Sequence, residues 1–278
     1  MPIPIFPPGG DPGPSFSDLL RCLGVGPGDR PGASGTPGPP GYVFSAAVVP
    51  ELVQATTVLA LRYAGGIIMA GDRRATAGHS IAHRQVDKVH PADHWSGVAI
   101  AGSAGKAVEM VRLFQTELEH YEKVEGLALS LEGKANKLSQ MVRANFGMAM
   151  QGLAVVPLFA GWDTRRRKGR IFTYDVTGGS YEEPDYAATG SGGQDARTTV
   201  KLAWREGLER DAAIELAISG LYEAADEDSA TGGPDVVRGI YPTVATIGAD
   251  GFVGVEAVEV ARRFGALIEA KRARGTQP

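Results

Sequence analysis

Thr56 is the first residue whose type and position suggest chemistry, because it follows a leader in which little regular structure is expected. Residues 1–55 hold 12 of the 18 prolines and 10 of the 38 glycines, and both residue types disfavour helices and strands. If the chain were cut between Ala55 and Thr56, one residue would carry a hydroxyl and a free α-amine, whose pKa is ordinarily about 8. That amine could act as general base for the hydroxyl, since both share one Cα. Taken alone, the stretch slightly favours a simpler interpretation, in which Thr56 only begins an edge strand.

An aspartate and a lysine further along give this threonine more weight. Asp72 follows the second strand of a predicted hairpin, in "MAGDRR", so the hairpin would return it beside Thr56. Lys88 lies in "RQVDKVH", where a strand-like alternation would place Val86 and Lys88 on the same side. A lysine held by an aspartate beside a hydroxyl would lower the pKa of the hydroxyl and of the amine. Taken singly, an aspartate such as Asp72 is more often a turn carboxylate, and a lysine such as Lys88 is more often a surface ammonium.

Three glycine-rich turns add further candidates. Gly102, in "AGSAG", offers a backbone N–H where a strand leads into a helix, which suits an oxyanion. The turn "GSGG" at 190–193 has neither the ending of a phosphate loop nor the spacing of a dinucleotide loop. In "EDSATGGPD", Asp228 and Thr231 follow a predicted helix, and a helix C-terminus is the simpler interpretation there.

The elements that must position these residues alternate in groups. Hydrophobic patterning predicts helices from apolar stripes over 108–121 and 131–148, and at 194–206, 211–226 and 256–271. It predicts strands at 57–63, 67–72, 95–102, 155–162, 170–175, 186–190, 243–247 and 251–255. Strands followed by two helices, twice over, are not the one-for-one alternation of a parallel sheet. We therefore predict an α+β protein, a four-layer α/β/β/α sandwich of two antiparallel sheets flanked by helix pairs.

Composition excludes several functional classes. The net charge of −4 and pI near 5.8 argue against a nucleic-acid partner, and the basic run at 165–170 is predicted to be a solvated hairpin tip. The only cysteine, Cys22, lies in the leader, so the folded part has no disulfide and no thiolate metal ligand. The N-terminus lacks a secretory signal and the apolar run 152–161 is too short to cross a bilayer. A cytoplasmic protein without a membrane partner is expected.

Taken together, the motifs resemble one family. The segments "ATT", "AGDRR", "VDKV", "AGSAG", "ATGSGG" and "DEDSATGGPDVVRGIYPT" are similar to those of proteasome β subunits of the actinobacterial type, which are N-terminal nucleophile hydrolases. The resemblance runs from Thr56 to about Lys271 and implies the same four-layer fold. It also implies a threonine endopeptidase that degrades unfolded proteins inside a compartment, with no cofactor and no metal.

The resemblance assigns roles to individual residues. Thr56 would be nucleophile and base, with Asp72 and Lys88 as its activating pair and Gly102 as the oxyanion donor. Three further residues would hold the terminal amine and a water: Ser191, Asp228 and Thr231. The pocket for the residue before the scissile bond would be lined by Ala75, Thr76, Val86, Ile100, Ala104 and Val108, and its apolar character predicts a preference for apolar or aromatic residues.

The leader resembles a propeptide of residues 1–55, removed autocatalytically to leave a mature domain of residues 56–278. Two departures from the family pattern stand out. Ala55 occupies a position that is usually glycine, which predicts slower self-cleavage, because the side chain adds bulk beside the scissile bond. Thr231 replaces a usual serine and keeps the hydroxyl.

The family resemblance implies assembly. Seven β subunits would form a ring, two such rings would stack, and α-subunit rings would gate the chamber for a regulatory ATPase ring. Three alternatives are weighed against this interpretation. An HslV-type homologue usually has a shorter chain and leader, and a noncatalytic ring subunit would be expected to lack Thr56, Asp72 or Lys88. A small-molecule amidohydrolase with the same terminal chemistry stays open to substrate assays.

Overall fold

The computed structural model describes residues 56–77 and 80–275. The predictions made for residues 1–55, including Cys22 and Ala55, lie outside these residues. The first five-stranded antiparallel sheet has the order β10 (Tyr186–Gly190), β1 (Thr57–Tyr63), β2 (Gly66–Gly71), β11 (Thr243–Gly248) and β12 (Gly251–Gly254). The second has the order β5 (Val89–Asp93), β6 (Ser96–Gly102), β7 (Val155–Asp163), β8 (Lys168–Tyr174) and β9 (Ser180–Glu183). A short hairpin pairs β3 (Ala75–Ala77) with β4 (Ser80–His83).

The two sheets face each other, and β1 explains why. Its sequence is almost continuously apolar because both of its faces are buried. Val58 and Ala60 belong to a core cluster that also contains Leu158 and Ile171 of the second sheet. The alternate residues of β1 pack instead among helices on the outer face. The same strand therefore contributes to two cores.

Helices cover both outer faces. On the first sheet lie α4 (Gly193–Ala203), α5 (Arg210–Glu227) and α6 (Ala257–Gly275), and on the second lie α1 (Ala104–Glu125) and α2 (Leu131–Ala144), which the short α3 (Phe146–Ala149) follows. The predicted four-layer sandwich is confirmed. Two details of the predicted stripes were wrong, since Leu113 and Tyr121 are exposed and Met148 lies in α3. Within the described residues, none of the helices has the length and apolar character to cross a membrane.

The basic run at 165–170 divides into two parts. The hairpin tip between β7 and β8 is exposed, as predicted. Arg170 is different, because it lies inside β8 and only 5% of it is exposed. Its guanidinium makes two hydrogen bonds to Glu182, at 2.8 and 2.6 Å, and a third to Asp163. The prediction of a solvated loop was wrong for this residue, which ties neighbouring strands together.

Candidate active site

Thr56 lies directly before β1, at the wall of a cavity of about 230 Å³. It is 5% exposed, and its carbonyl oxygen accepts a hydrogen bond from the Ser191 N–H at 3.0 Å. The alternative that Thr56 begins an edge strand was wrong, because β1 lies between β10 and β2. The start of this strand is therefore held on both sides by neighbouring backbone.

Asp72 is placed beside this start by the β1–β2 hairpin. Its N–H donates to the Thr57 carbonyl, and the Thr57 N–H donates to Asp72 Oδ1 at 2.8 Å. Lys88 Nζ donates to the same oxygen at 2.5 Å and to the Arg74 carbonyl at 2.6 Å. The other oxygen, Oδ2, accepts from the N–H groups of Arg74 and Gly232 at 2.9 and 2.8 Å. Four donors fix a carboxylate that has no exposed surface.

Lys88 is buried together with its partner. Burial lowers the pKa of Lys88 from its ordinary value of 10.5, while the neighbouring Asp72 carboxylate opposes that shift. The predicted strand-like alternation around Lys88 was wrong, because residues 84–88 form no strand and β5 begins only at Val89. Val86 and Lys88 nevertheless line the same cavity. The pairing of β5 with β6 begins at the next residue, Val89.

A second acidic centre follows α5. Asp228 Oδ2 accepts from Ser191 Oγ at 2.5 Å and from Thr231 Oγ1 at 2.6 Å, and Oδ1 accepts from the Ala230 N–H at 3.0 Å. Burial by itself raises the pKa of Asp228, but the hydrogen bonds from Ser191 and Thr231 outweigh it, so the pKa is lowered overall. Asp228 is therefore a carboxylate held by hydroxyl and amide groups.

Two of the predicted glycine turns require glycine. Gly102 ends β6 with φ 117°, and a Cβ there would lie 2.2 Å from the Ala154 carbonyl oxygen. Gly190 ends β10 with φ 101°, and its Cβ would lie 1.7 Å from the Thr56 carbonyl oxygen. Such φ values and approaches exclude a side chain. Gly102 lines the cavity beside Thr56 and directly precedes Ser103, the N-cap residue of α1.

The cavity contains every residue that the sequence suggested for a substrate pocket. Its wall includes Ala75, Thr76, Val86, Ile100, Ala104 and Val108. Three titratable residues that the sequence analysis did not name also line it: His83, Asp87 and His90. Burial lowers the pKa of the half-buried His90 below 6.5, although Asp87 opposes the shift. The His90 ring is therefore neutral at pH 7.

Sequence reasoning missed Thr57. Its side chain is fully buried and its Oγ1 lies 2.6 Å from Thr231 Oγ1. The same oxygen accepts from the Gly192 N–H at 2.9 Å. The signal was present in the sequence, since the strand "TVLAL" carries one hydroxyl at its start among residues that are otherwise apolar. A buried hydroxyl needs a partner, but only the tertiary structure identifies which one.

These contacts bring the predicted residues together at one site. Hydrogen bonds link the carbonyl of Thr56 to Ser191, and the hydroxyls of Ser191 and Thr231 both donate to Asp228. Lys88 and Gly102 share the cavity with Thr56. Within the part of the chain that the structure describes, no group of three or more His, Cys, Asp or Glu side chains could hold a metal ion. One cavity wall thus carries the hydroxyl residue Thr56 and the ammonium of Lys88, which is paired with the Asp72 carboxylate. Such a set can activate an oxygen nucleophile.

Comparisons with known proteins agree with one another. A family model described as "Proteasome subunit" matches residues 52–238. The chain is 53% identical over 277 residues to "Proteasome subunit beta" of Acidimicrobium ferrooxidans, covering 99% of this chain and 96% of that protein. It is 59% identical over 215 residues to the protein of the same name from Streptomyces griseus, with 76% of each chain covered. The relative from Jonesia denitrificans is 55% identical over 206 residues, covering 74% of this chain and 68% of the relative.

Proposed function

Because the chain belongs to the proteasome family, as a catalytic β subunit that assembles with other subunits in a core particle, we propose that it hydrolyses peptide bonds with Thr56 as nucleophile. The observation that carries the proposal is the buried pair of Lys88 and Asp72, whose charged atoms are 2.5 Å apart beside Thr56. Keeping such a pair out of water is costly, and an ammonium beside a hydroxyl lowers the pKa of that hydroxyl.

The reaction is acyl transfer. Once the chain begins at Thr56, its Oγ1 attacks the carbonyl carbon of a peptide bond, and the terminal amine accepts the hydroxyl proton through a water. The Gly102 N–H donates to the oxyanion, a contribution of about 3 kcal/mol to the barrier. The tetrahedral intermediate collapses, the amine product leaves with a proton, and an ester on Thr56 remains. A water then cleaves the ester and restores the hydroxyl.

The same hydroxyl removes the leader. Thr56 Oγ1 attacks the carbonyl of Ala55, the peptide nitrogen leaves as the new α-amine, and water hydrolyses the resulting ester. The hydrogen bond from the Ser191 N–H to the Thr56 carbonyl supports this step, because it fixes the chain direction at the cleavage point. The methyl group of Ala55 slows the step relative to glycine.

The specificity for the residue before the scissile bond follows from the lining of the cavity beside Thr56. The predominantly apolar cavity accepts apolar or aromatic side chains before the scissile bond, and His90 does not oppose them while it is neutral.

The subunits form seven-membered β rings stacked in pairs, with α rings at each end and an ATPase ring that feeds unfolded proteins into the chamber. The particle works in the cytoplasm.

The proposal is tested on particles made by co-expression with the α subunit. We expect the wild-type chain to have the intact mass of residues 56–278 and to hydrolyse peptides, and Thr56→Ala to keep residues 1–55 and to be inactive. Thr246→Val is the matched control, because it removes a buried threonine hydroxyl whose partner is the Val253 carbonyl; it should mature and work normally. Peptide hydrolysis by Thr56→Ala, or by wild-type particles that retain the leader, would refute the nucleophile assignment.

A further inference from the structure

The hydroxyl of Thr57 is part of the polar network beside Thr56, although nothing in the reaction described above uses it. Thr57 is fully buried and starts a strand whose next residues are Val58 and Leu59. A valine would fill the same volume at this position. Burying a hydroxyl instead is unfavourable unless its hydrogen bonds are made, so the partners of this group show what it does.

The direction of the hydrogen bonds can be assigned from proton counting. Thr231 Oγ1 carries one proton, and it donates that proton to the Asp228 carboxylate. In the 2.6 Å contact between Thr57 and Thr231, Thr57 is therefore the donor. The lone pairs of Thr57 Oγ1 accept from the Gly192 N–H. The bonds run in one direction, from Gly192 through Thr57 and Thr231 to Asp228, and each bond in such a chain polarises the next.

The backbone of Thr57 is bound to the other acidic centre. Its N–H donates to Asp72 Oδ1, the oxygen that also accepts from Lys88, and its carbonyl accepts from the Asp72 N–H. One residue thus contacts Asp72 through its main chain and Asp228 through Thr231. It is also covalently attached to Thr56.

We propose that Thr57 is a positioning residue: its hydroxyl orients Thr231 and Asp228 and so sets both the direction and the proton affinity of the Thr56 amine. This inference rests on the proposed function. Thr57 touches no substrate atom and acts through the groups that do. Loss of the hydroxyl leaves Thr231 without a donor and the Gly192 N–H without an acceptor, so the Asp228 charge is less well compensated and attracts the protonated amine more strongly.

The expected change is specific. Other charged and titratable groups around the amine and across the cavity stay in place: Lys88, Asp72, Asp87, His83 and His90. Because the amine holds its proton more tightly, the midpoint of the acidic limb in the pH profile of kcat should move to higher pH by roughly 0.5 unit. Misorientation of the amine should lower kcat by about 10-fold to 100-fold. KM should change by less than about twofold, because the pocket is untouched.

The test compares variants that separate the hydroxyl from the methyl group. Thr57→Val keeps the methyl group and should show both effects, and Thr57→Ser keeps the hydroxyl and should restore kcat and the pH midpoint. Rates are measured on assembled particles and divided by the amount of chain with the mass of residues 56–278. Thr246→Val controls for loss of a buried hydroxyl in the same sheet and should leave both quantities unchanged. Should Thr57→Val not assemble, Thr57→Cys replaces it, since its weaker donor predicts a kcat clearly below that of Thr57→Ser.

Each result decides the question. If Thr57→Val matches the wild type in kcat and pH midpoint, or if Thr57→Ser loses as much activity as Thr57→Val, the positioning role is wrong. A purely structural role would lower the thermal midpoint or the yield of mature chain without moving the pH midpoint. Failure of the proposed function looks different, because Thr56→Ala particles would then hydrolyse peptides whatever Thr57 does.

Discussion

Two carboxylates flank the start of β1, and they are compensated in different ways. Asp72 receives the ammonium of Lys88 and three backbone N–H groups, so its charge is matched by a full positive charge. Asp228 receives two hydroxyl groups and the N–H of Ala230. Hydrogen bonds from neutral groups stabilise a charge without cancelling it. Asp228 therefore remains the negative group that can interact with a protonated amine on Thr56.

His90 gives the substrate pocket a testable pH dependence. Its pKa lies below 6.5 because burial disfavours the charged ring, so the ring is neutral at pH 7 and becomes charged only as the pH falls. We expect a fluorogenic peptide panel at pH 7.5 to be cleaved fastest after Tyr or Leu. As the pH falls below 6.5, the KM of these peptides should rise, because the charged ring disfavours an apolar side chain.

The control for this prediction is a polar side chain that does not titrate. His90→Asn should abolish the rise in KM, whereas His83→Asn should leave it in place, since the His83 side chain is exposed to water. Faster cleavage after Arg or Glu than after Tyr or Leu at pH 7.5 would contradict the apolar preference. A KM that rises equally in His90→Asn would assign the effect to another group.

At the scale of elements, the turn between β10 and α4 fixes Thr56. Strand β10 is the edge partner of β1, with Gly190 opposite Thr57. The next residue, Ser191, donates its N–H to the Thr56 carbonyl and its hydroxyl to Asp228. Gly192 begins α4 as its N-cap, and a Cβ there would lie 2.8 Å from both Thr57 Oγ1 and Thr231 Oγ1. Gly190 and Ser191 thus pack against the proposed nucleophile, and Gly192 packs against the residue that follows it.

Gly190→Ala should disable this turn. The left-handed backbone at φ 101° and the contact with the Thr56 carbonyl leave no room for a methyl group, so we expect a loss of at least ~2 kcal/mol of stability and retention of residues 1–55. The measurements are the thermal unfolding midpoint and the intact mass. Gly265→Ala, in α6, meets no neighbour within 4 Å and should gain about 0.5–1 kcal/mol. Normal maturation of Gly190→Ala would show that the turn does not set the geometry of Thr56.

At the scale of the whole molecule, the core between the sheets holds the two halves of the site together. Thr56 and Asp72 belong to the first sheet or its ends, whereas Gly102 ends a strand of the second and Lys88 directly precedes one. Apolar side chains from both sheets form one cluster between them. The distance between the proposed nucleophile, Thr56, and the proposed oxyanion donor, Gly102, therefore depends on how the sheets pack.

Leu158→Ala tests that dependence. Leu158 lies in β7, has no exposed surface and packs in the cluster between the sheets. Truncation should cost about 2–5 kcal/mol of unfolding free energy, measured from the urea midpoint of the purified chain. Leu202→Ala is the matched control, because that side chain is 82% exposed and should change stability by less than about 0.5 kcal/mol. Equal effects of the two substitutions would contradict a shared core between the sheets.

The strands that the sequence predicted correctly all have an apolar face. The four strands that it did not predict, β3, β4, β5 and β9, were missed for physical reasons. Strands β3, β4 and β9 are three or four residues long, and most of their residues are exposed or half-buried. Strand β5 contains Pro91 and lies at a sheet edge, as expected for a proline in a strand. Short strands with little burial leave no alternation of apolar and polar residues in the sequence.

The sequence by itself determined the layer architecture, because apolar periodicity is visible in one dimension. It also supplied the candidate residues of the proposed site, which are a hydroxyl, an ammonium and carboxylates at separate positions. It did not reveal that Arg170 is buried, that residues 84–88 leave the strand pattern, or that Thr57 joins the two acidic centres. The contacts of Thr57 join groups that are 15 and 174 residues apart in the chain. Only the pairing of β1 with β2 and the packing of α5 on the same sheet bring such distant donors and acceptors within hydrogen-bonding distance.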